Sequence, residues 1–435
     1  MEKIKVTVKT HAQRLFIILE LFDRNGLANH AAAGAYGFFL SLAPLLLLIT
    51  SFLLVVFKPS PQEIAALVGN IPFSDIIYDE HWLSINFLSI SQSGIPGIIS
   101  ALSVFWAGRI LLLSVQRGLR VIFPGTKSRN PLIDTLVTLA AEVGMLLFVL
   151  LLILGSQTAL RFYRTLNFFT DTSSLKLIIS VIRGRFFFIV LMGIVAFFIY
   201  RFMPANSPKK LSAFWGALFL TLTYGCTTLA LGILIDQSNY NFIYGTLGSL
   251  VILLVNVYFF FIFFFLGAQV AYVDDSFDAL LFSKLRHTRS KAGEKKSRHE
   301  DALEKLFFST EGNLNKYFRT HKKGEIIFSQ GDTWDDIYYL LEGEVEVNIL
   351  SSRGGSFIDT LTPGSFFGEM GYLLSEQRSA TVSAKTDISA LALPPSLFEE
   401  ILNNDTGIDR AIIEYMSRKL KNTNEQVTAL KSDIS

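Results

Sequence analysis

Two sets of charged residues in this 435-residue chain could do chemistry, and their surroundings differ sharply. The first lies in "FFGEMGYLLSEQRSATV", residues 366–382, where Gly368 and Glu369 form a Gly-Glu pair at a tight turn. Arg378 and Ser379 follow and lead into small β-forming residues. The stretch reads as the wall of a small-molecule pocket in a water-soluble domain. Glycine lets backbone approach a bound molecule closely. The second set is Arg109 and Glu142, each alone in a long apolar run. Charges in such runs are costly, and they mark either a structural pair or a polar pathway.

The composition explains the contrast. The chain is 51% hydrophobic and 17% charged, with 39 Phe, whereas a soluble domain carries about 25% charged residues. Much of it therefore belongs in lipid. The net charge of +2 averages two dissimilar halves. A single cysteine, Cys226, excludes an internal disulfide, and the six histidines are scattered with no pair at ligand spacing. Hydrolytic chemistry would need a metal cluster or a His/Lys acid–base set, and neither stands out, so no enzyme is expected. The N-terminal "RLFIILELF" is short, contains Glu20 and is followed by no persuasive small-residue cleavage site. Residues 12–22 are instead predicted to form an amphipathic helix on the membrane surface.

A bilayer core needs about 20 apolar residues in a helix. Six spans are predicted: Ala31 to Phe57, Ile95 to Val115, Thr135 to Leu160, the short Phe186 to Tyr200, Leu211 to Ile235, and one within Gln237 to Val273. Basic residues favour the cytoplasmic side. They gather before span one, after spans two and four (Arg117, Arg120, Lys127, Arg129; Arg201, Lys209, Lys210) and after span six. The loop after span one carries Glu63, Asp75, Asp79 and Glu80, and the loop after span five has no basic residue. Both termini are expected in the cytoplasm, with the chain in a bacterial inner membrane. The basic loop from Arg161 to Arg185 breaks the rule.

By this division residues 1–282 form the membrane domain, 283–305 a basic linker and 306–435 a soluble domain. The linker is a solvated segment that anionic lipid headgroups would also attract. Beyond it, "GEIIFSQGD", "DIYYLLEGEVEVNIL", "SFIDTLTPGSFFG" and "SATVSAKTDISALAL" are short strand-like runs between Gly, Pro, Asp and Ser turns. Such spacing predicts a β jelly roll. The expected fold is thus an all-α membrane domain of about six helices, then a jelly roll with a C-terminal helix.

The soluble part resembles the cyclic-nucleotide-binding domain of catabolite activators and cyclic-nucleotide-gated channels. The turn glycines of "GEIIFSQGD" and "YYLLEGEVEV" and, above all, "FGEMGYLLSEQRSATV" carry the likeness, over about residues 307–430. It implies that Glu369 takes the ribose hydroxyl, that Arg378 and Ser379 hold the cyclic phosphate, and that Gly368 admits the sugar. The chemistry agrees, since one negative charge needs a fixed cation and N–H donors. In the last helix Ile413, Leu420 and Val427 recur every seven residues, as do Met416, Thr423 and Leu430. These are the a and d positions of a two-stranded coiled coil, so a homodimer through 408–431 is expected. The activators bind adenine through a Thr-Ser pair on this helix. Here the pair is Thr423-Asn424, a departure that weakens the preference for cyclic AMP over cyclic GMP without removing it. No helix-turn-helix is seen between this helix and Ser435, so nucleic acid is not an expected partner.

The apolar part is similar to the YihY/BrkB family of inner-membrane proteins. The likeness rests on "HAAAGAYGFFLSLAPLLLLI", "FWAGRILLLSVQRGLRVIF" and "YNFIYGTLGSLVILLVNVYFFFIFFFLGAQVAYV". Members have been called virulence factors, transporters and a tRNA-processing ribonuclease; the residues here give the last no support. Arg109 and Glu142 fall at similar depth on spans two and three, so they would form an ion pair, either structural or on a transport path. The function expected is a transporter or lipid/solute translocator regulated by a cyclic nucleotide, cyclic AMP favoured, with no other cofactor or metal. The alternative is a membrane-anchored nucleotide receptor or scaffold without translocation.

Overall fold

A computed structural model describes residues 2–41, 94–125, scattered positions from 130 to 144, 189–234, 246–290, 313–333, 335–350, 356–404 and 417. These belong to two compact units, one of Ile18–Asp275 and one of Met1–Ile17 with Ser276–Ser435.

The first unit is helical. After the long N-terminal helix α1 (Glu2–Arg24), Gly26 takes a positive φ of 60° and the chain turns into α2 (27–41). Next come α3 (Gly94–Ile122), the short apolar α4 (Ile189–Phe202), α5 (Lys210–Leu234) and α6 (Thr246–Asp275). Among the described residues, two stretches are long and apolar enough to cross a membrane: Lys210–Ala230 in α5 and Val251–Asp275 in α6. The ranges expected for spans two and five fall on helices α3 and α5, and α6 overlaps the stretch expected to hold span six; of these, α5 and α6 carry the two stretches long and apolar enough to cross. Glu142, most of span three and the basic loop at 161–185 lie outside the described residues.

Glycine sets the helix spacing. A Cβ on Gly216 of α5 would strike the Gly267 carbonyl of α6, and one on Gly118 of α3 would strike the Phe265 ring. Buried polar groups in this unit mostly find partners. The Tyr200 hydroxyl donates to the Phe264 carbonyl at 2.6 Å, and the Tyr224 hydroxyl donates to Asn256 Oδ1 at 3.0 Å.

The amphipathic helix expected over 12–22 is longer, running from Glu2 to Arg24. It buries Gln13, Ile17 and Leu21, and leaves Leu15 and Leu19 exposed. That is the one-face pattern of i, i+4 spacing.

The second unit contains two antiparallel four-stranded sheets, in the orders β1-β8-β3-β6 and β2-β7-β4-β5. The strands are β1 (Phe318–His321), β2 (Ile326–Phe328), β3 (Ile337–Glu342), β4 (Val345–Leu350), β5 (Ser356–Leu361), β6 (Phe366–Phe367), β7 (Thr381–Ala384) and β8 (Ile388–Leu393). Side chains alternate across a strand, and here both faces of the first sheet are covered. Leu340, Phe367, Ile388 and Ala390 join the core with Val345, Val347 and Val382 of the second sheet. Their neighbours Tyr339, Leu341, Phe366, Leu391 and Leu393 point the other way. They pack against helices α7 (Phe277–Ser290) and α9 (Pro395–Asn404) through Ala279, Phe282, Leu397, Phe398 and Ile401. A sheet covered on both sides has no polar face, which is why β8 is buried along its whole length.

Helix α7 differs from what the sequence suggests. Residues 283–290 continue it, where the basic linker was expected to begin. It is fastened to the chain just before β1 by Asp278, which accepts hydrogen bonds from Asn313 Nδ2 (2.9 Å), Lys316 Nζ (2.6 Å) and the Tyr317 hydroxyl (3.0 Å). Arg14 of α1 lies over the Phe277 ring at 4.8 Å.

Candidate functional site

The short helix α8 (Glu369–Leu374) starts where β6 ends. Gly368 makes the junction with φ 80° and ψ 2°, a left-handed conformation that costs glycine little. A Cβ there would also lie 2.5 Å from Arg378 Nη1, so both backbone and space select glycine. The helix closes at Ser375, the one described non-glycine residue with positive φ (55°).

Arg378 sits under this turn and is only 5% exposed. Its backbone is clamped to the β2–β3 turn: its N–H donates to the Asp332 carbonyl and its carbonyl accepts from Gly331, each at 2.9 Å. The guanidinium donates from Nη1 to the Gly368 carbonyl at 2.8 Å and from Nη2 to the Asp336 carbonyl at 2.7 Å. Its Nε–H is buried without a partner among the described residues. Below it lies the Phe328 ring, 4.1 Å from Cζ. Phe328 in turn adjoins Phe367 (centroids 6.2 Å), and Phe367 stacks on Tyr338 at 5.1 Å and 9°.

Burial lowers the Arg378 pKa from its ordinary value, opposed by the charges of Tyr338, Asp335, Asp336 and Glu369. Arginine stays protonated regardless. The site therefore holds a fixed buried cation whose two Nη groups each donate to a main-chain carbonyl and whose Nε–H is idle among the described residues. A phosphate-type anion offers charged acceptors that carbonyls cannot match, so this arrangement can exchange internal bonds for an anionic ligand.

Three of the expected residues come together here. Gly368 touches Arg378, and Glu369, only 3% exposed, is close enough to favour the Arg378 charge. Ser379 is exposed and makes no side-chain hydrogen bond among the described residues. Thr423, Asn424 and, apart from Ser417, the 408–431 helix lie outside the described residues. Arg109 is described and exposed on α3, but its expected partner Glu142 is not. The sequence reading missed Phe328 and Asp336. The available signal was the aromatic that ends "EIIF" just before the "SQGD" turn. Among the described residues, no three His, Cys, Asp or Glu side chains are placed to hold a metal.

This geometry belongs to a class: a helical, lipid-compatible part followed by an antiparallel β domain with a buried arginine at a Gly-Glu turn. Comparison with known families agrees. Residues 318–405 match the cyclic nucleotide-binding domain, and a cyclic nucleotide as regulatory ligand fits that match. Residues 18–284 match the family described as virulence factor BrkB, and the chain belongs to that family of membrane proteins. Neither family is an enzyme family.

Curated relatives match over short stretches. An uncharacterized ABC transporter ATP-binding protein of Mycobacterium tuberculosis is 42% identical over 82 residues, 19% of this chain and 25% of that protein. The cyclic nucleotide-gated potassium channel of Mesorhizobium japonicum is 36% identical over 90 residues, 21% and 24% respectively. The chain thus spans about a quarter of the length of these relatives. Among solved structures, the catabolite activator protein of Thermus thermophilus is 26% identical, with 27% of this chain and 57% of that one covered, at a TM-score of 0.25.

Proposed function

We propose that the protein is a six-span inner-membrane transporter or lipid/solute translocator, with both termini cytoplasmic, governed by cyclic nucleotide binding at Arg378. The buried guanidinium with an idle Nε–H, held by the Gly368 and Asp336 carbonyls, is the observation that carries the ligand reading. The cyclic phosphate takes Arg378, Glu369 takes the ribose hydroxyl, and Ser379 adds its exposed hydroxyl. Cyclic AMP is favoured through Thr423 and Asn424 on a dimerising helix at 408–431. Within residues 1–282, helices α2 to α6 act in the membrane with lipids around them, whereas α7 joins 306–435 in the sensor.

Regulation is supported by α7. A single residue, Ser276, separates it from the apolar helix α6, yet Phe282 of α7 is part of the sensor core. A change at Gly368 is one residue from Phe367 and two from Phe366, whose ring lies 6.1 Å from Phe282. Typical coupling between sites is about 1–3 kcal/mol, enough to change transport several-fold.

The test is calorimetric titration of the full chain in detergent with cyclic AMP and cyclic GMP, beside Arg378→Ala. Loss of the phosphate's buried partner should cost on the order of 2–5 kcal/mol, which removes micromolar binding. A wild type that binds neither nucleotide would refute the ligand reading. Arg109→Ala or Glu142→Gln variants that fold normally and keep full solute flux would refute the transport role of those charges and favour a receptor or scaffold.

A further inference from the structure

Helix α6 presents two faces. On one, Asn256 accepts from Tyr224, Phe264 meets Tyr200, and Gly267 abuts Gly216. On the other, Phe261 packs where a Cβ on Gly34 would sit, Phe265 packs on Gly118, and Tyr272 meets Phe123 with centroids 5.8 Å apart. Gln269 stands four residues after Phe265 and three before Tyr272, so helical spacing puts it on this second face, turned toward α2 and α3. It is 0% exposed, and neither its Oε1 nor its Nε2 has a hydrogen-bond partner among the described residues. Among the described residues of this unit, no other buried side chain leaves both of its polar atoms unpaired.

A buried amide without partners is costly, and in a membrane no lipid group repays it. The same helices satisfy Tyr200, Tyr224 and Asn256, so the packing does provide partners where they are wanted. A leucine at 269 would fill the seam without that cost. We infer that Gln269 is a guest-binding residue. The α2–α3–α6 seam opens to the aqueous phase, and the amide then bonds water or the hydroxyl or amide groups of an uncharged polar solute. The carboxamide suits such a guest because it both donates and accepts and carries no charge. Glycine contacts at Gly34 and Gly118, where no Cβ interlocks with the facing rings, let the seam part and close again.

The test uses the full chain in permeabilised membranes, with its sole cysteine removed by Cys226→Ser. Gln269→Cys is compared with Ala268→Cys, its fully buried neighbour. The water-soluble trimethylammonium-ethyl methanethiosulfonate reagent should modify position 269 at least tenfold faster than 268. Modification also by a bulkier sulfonated stilbene maleimide would identify a solute-sized opening; modification by the small reagent alone would identify water as the guest. No reaction at 269, or equal reaction at both positions, overturns the inference. Gln269→Leu supplies an arm without cysteine chemistry: removing an unpaired buried amide should raise the Tm by a few degrees, and an unchanged or lowered Tm would also overturn it. Both readouts are independent of nucleotide binding, so they stand or fall apart from the reading of the Arg378 site.

Discussion

Phe282 of α7 packs edge-on against Tyr339 of β3, with ring centroids 5.0 Å apart and planes at 79°. A helix that the sequence places at the end of the membrane part is thereby a wall of the sensor. Residues 318–405, matched to the nucleotide-binding domain, do not close their own core.

A soluble sensor that starts at Ser297 should therefore be much less stable than one that starts at Ser276, because it leaves Tyr339, Phe366 and Phe398 without Ala279 and Phe282. Replacing a buried Phe by Ala costs about 3–5 kcal/mol. Urea unfolding of the longer fragment with Phe282→Ala should show a loss of that size. A loss below about 1 kcal/mol would mean that α7 rests on the sheet without stabilising it.

Asp278 is the second fastening of α7, and charge-assisted hydrogen bonds contribute about 1.5–3 kcal/mol each. Its three donors are half exposed, so the combined effect is discounted for solvent screening. Asp278→Ala should lower the Tm of the longer fragment by several degrees. Equal Tm values for Asp278→Ala and wild type would remove Asp278 from the account.

Gly368→Ala combines a strained φ of 80° with a Cβ 2.5 Å from Arg378 Nη1. Left-handed backbone at a non-glycine residue costs about 1–3 kcal/mol, and the guanidinium must also move. The variant should fold with reduced stability and bind cyclic nucleotide at least tenfold more weakly, read by calorimetry. Wild-type affinity would place the ligand elsewhere.

The strands were legible because the jelly roll writes itself in alternation and turns: "EVEVN" became β4 and "GEIIFSQGD" became β2 with its turn. Helices α3, α5 and α6 were legible for the simpler reason that each is written as a long, nearly uncharged apolar run. Gly368, Glu369 and Arg378 were legible because they lie within one short stretch. What escaped depends on distance in the chain. Phe328 is fifty residues before Arg378, and only the folded sheets bring them together. Helix α7 escaped because Lys284, Arg286 and Arg289 outweighed the apolar spacing of Ala279, Phe282 and Leu285. Helix α9 did carry a signal, with Pro395 at its first position and Leu397, Phe398 and Ile401 at helical spacing.

Phe328 lies under the Arg378 guanidinium, which also donates to two carbonyls, and on the proposed reading the ring keeps the guanidinium aligned when a ligand replaces those bonds. A desolvated cation–π contact is worth about 1–2 kcal/mol, so Phe328→Leu should weaken cyclic nucleotide binding by about five- to thirtyfold. Loss of packing alone would also weaken it, and a double-mutant cycle separates the two. If Phe328 acts through the guanidinium, its effect should vanish in an Arg378→Ala background, measured with ligand at high enough concentration to detect residual binding. Phe328→Tyr, which keeps the ring, should restore most of the affinity. An equal penalty for Phe328→Leu with and without Arg378 would show that the ring supports the sheet and nothing more.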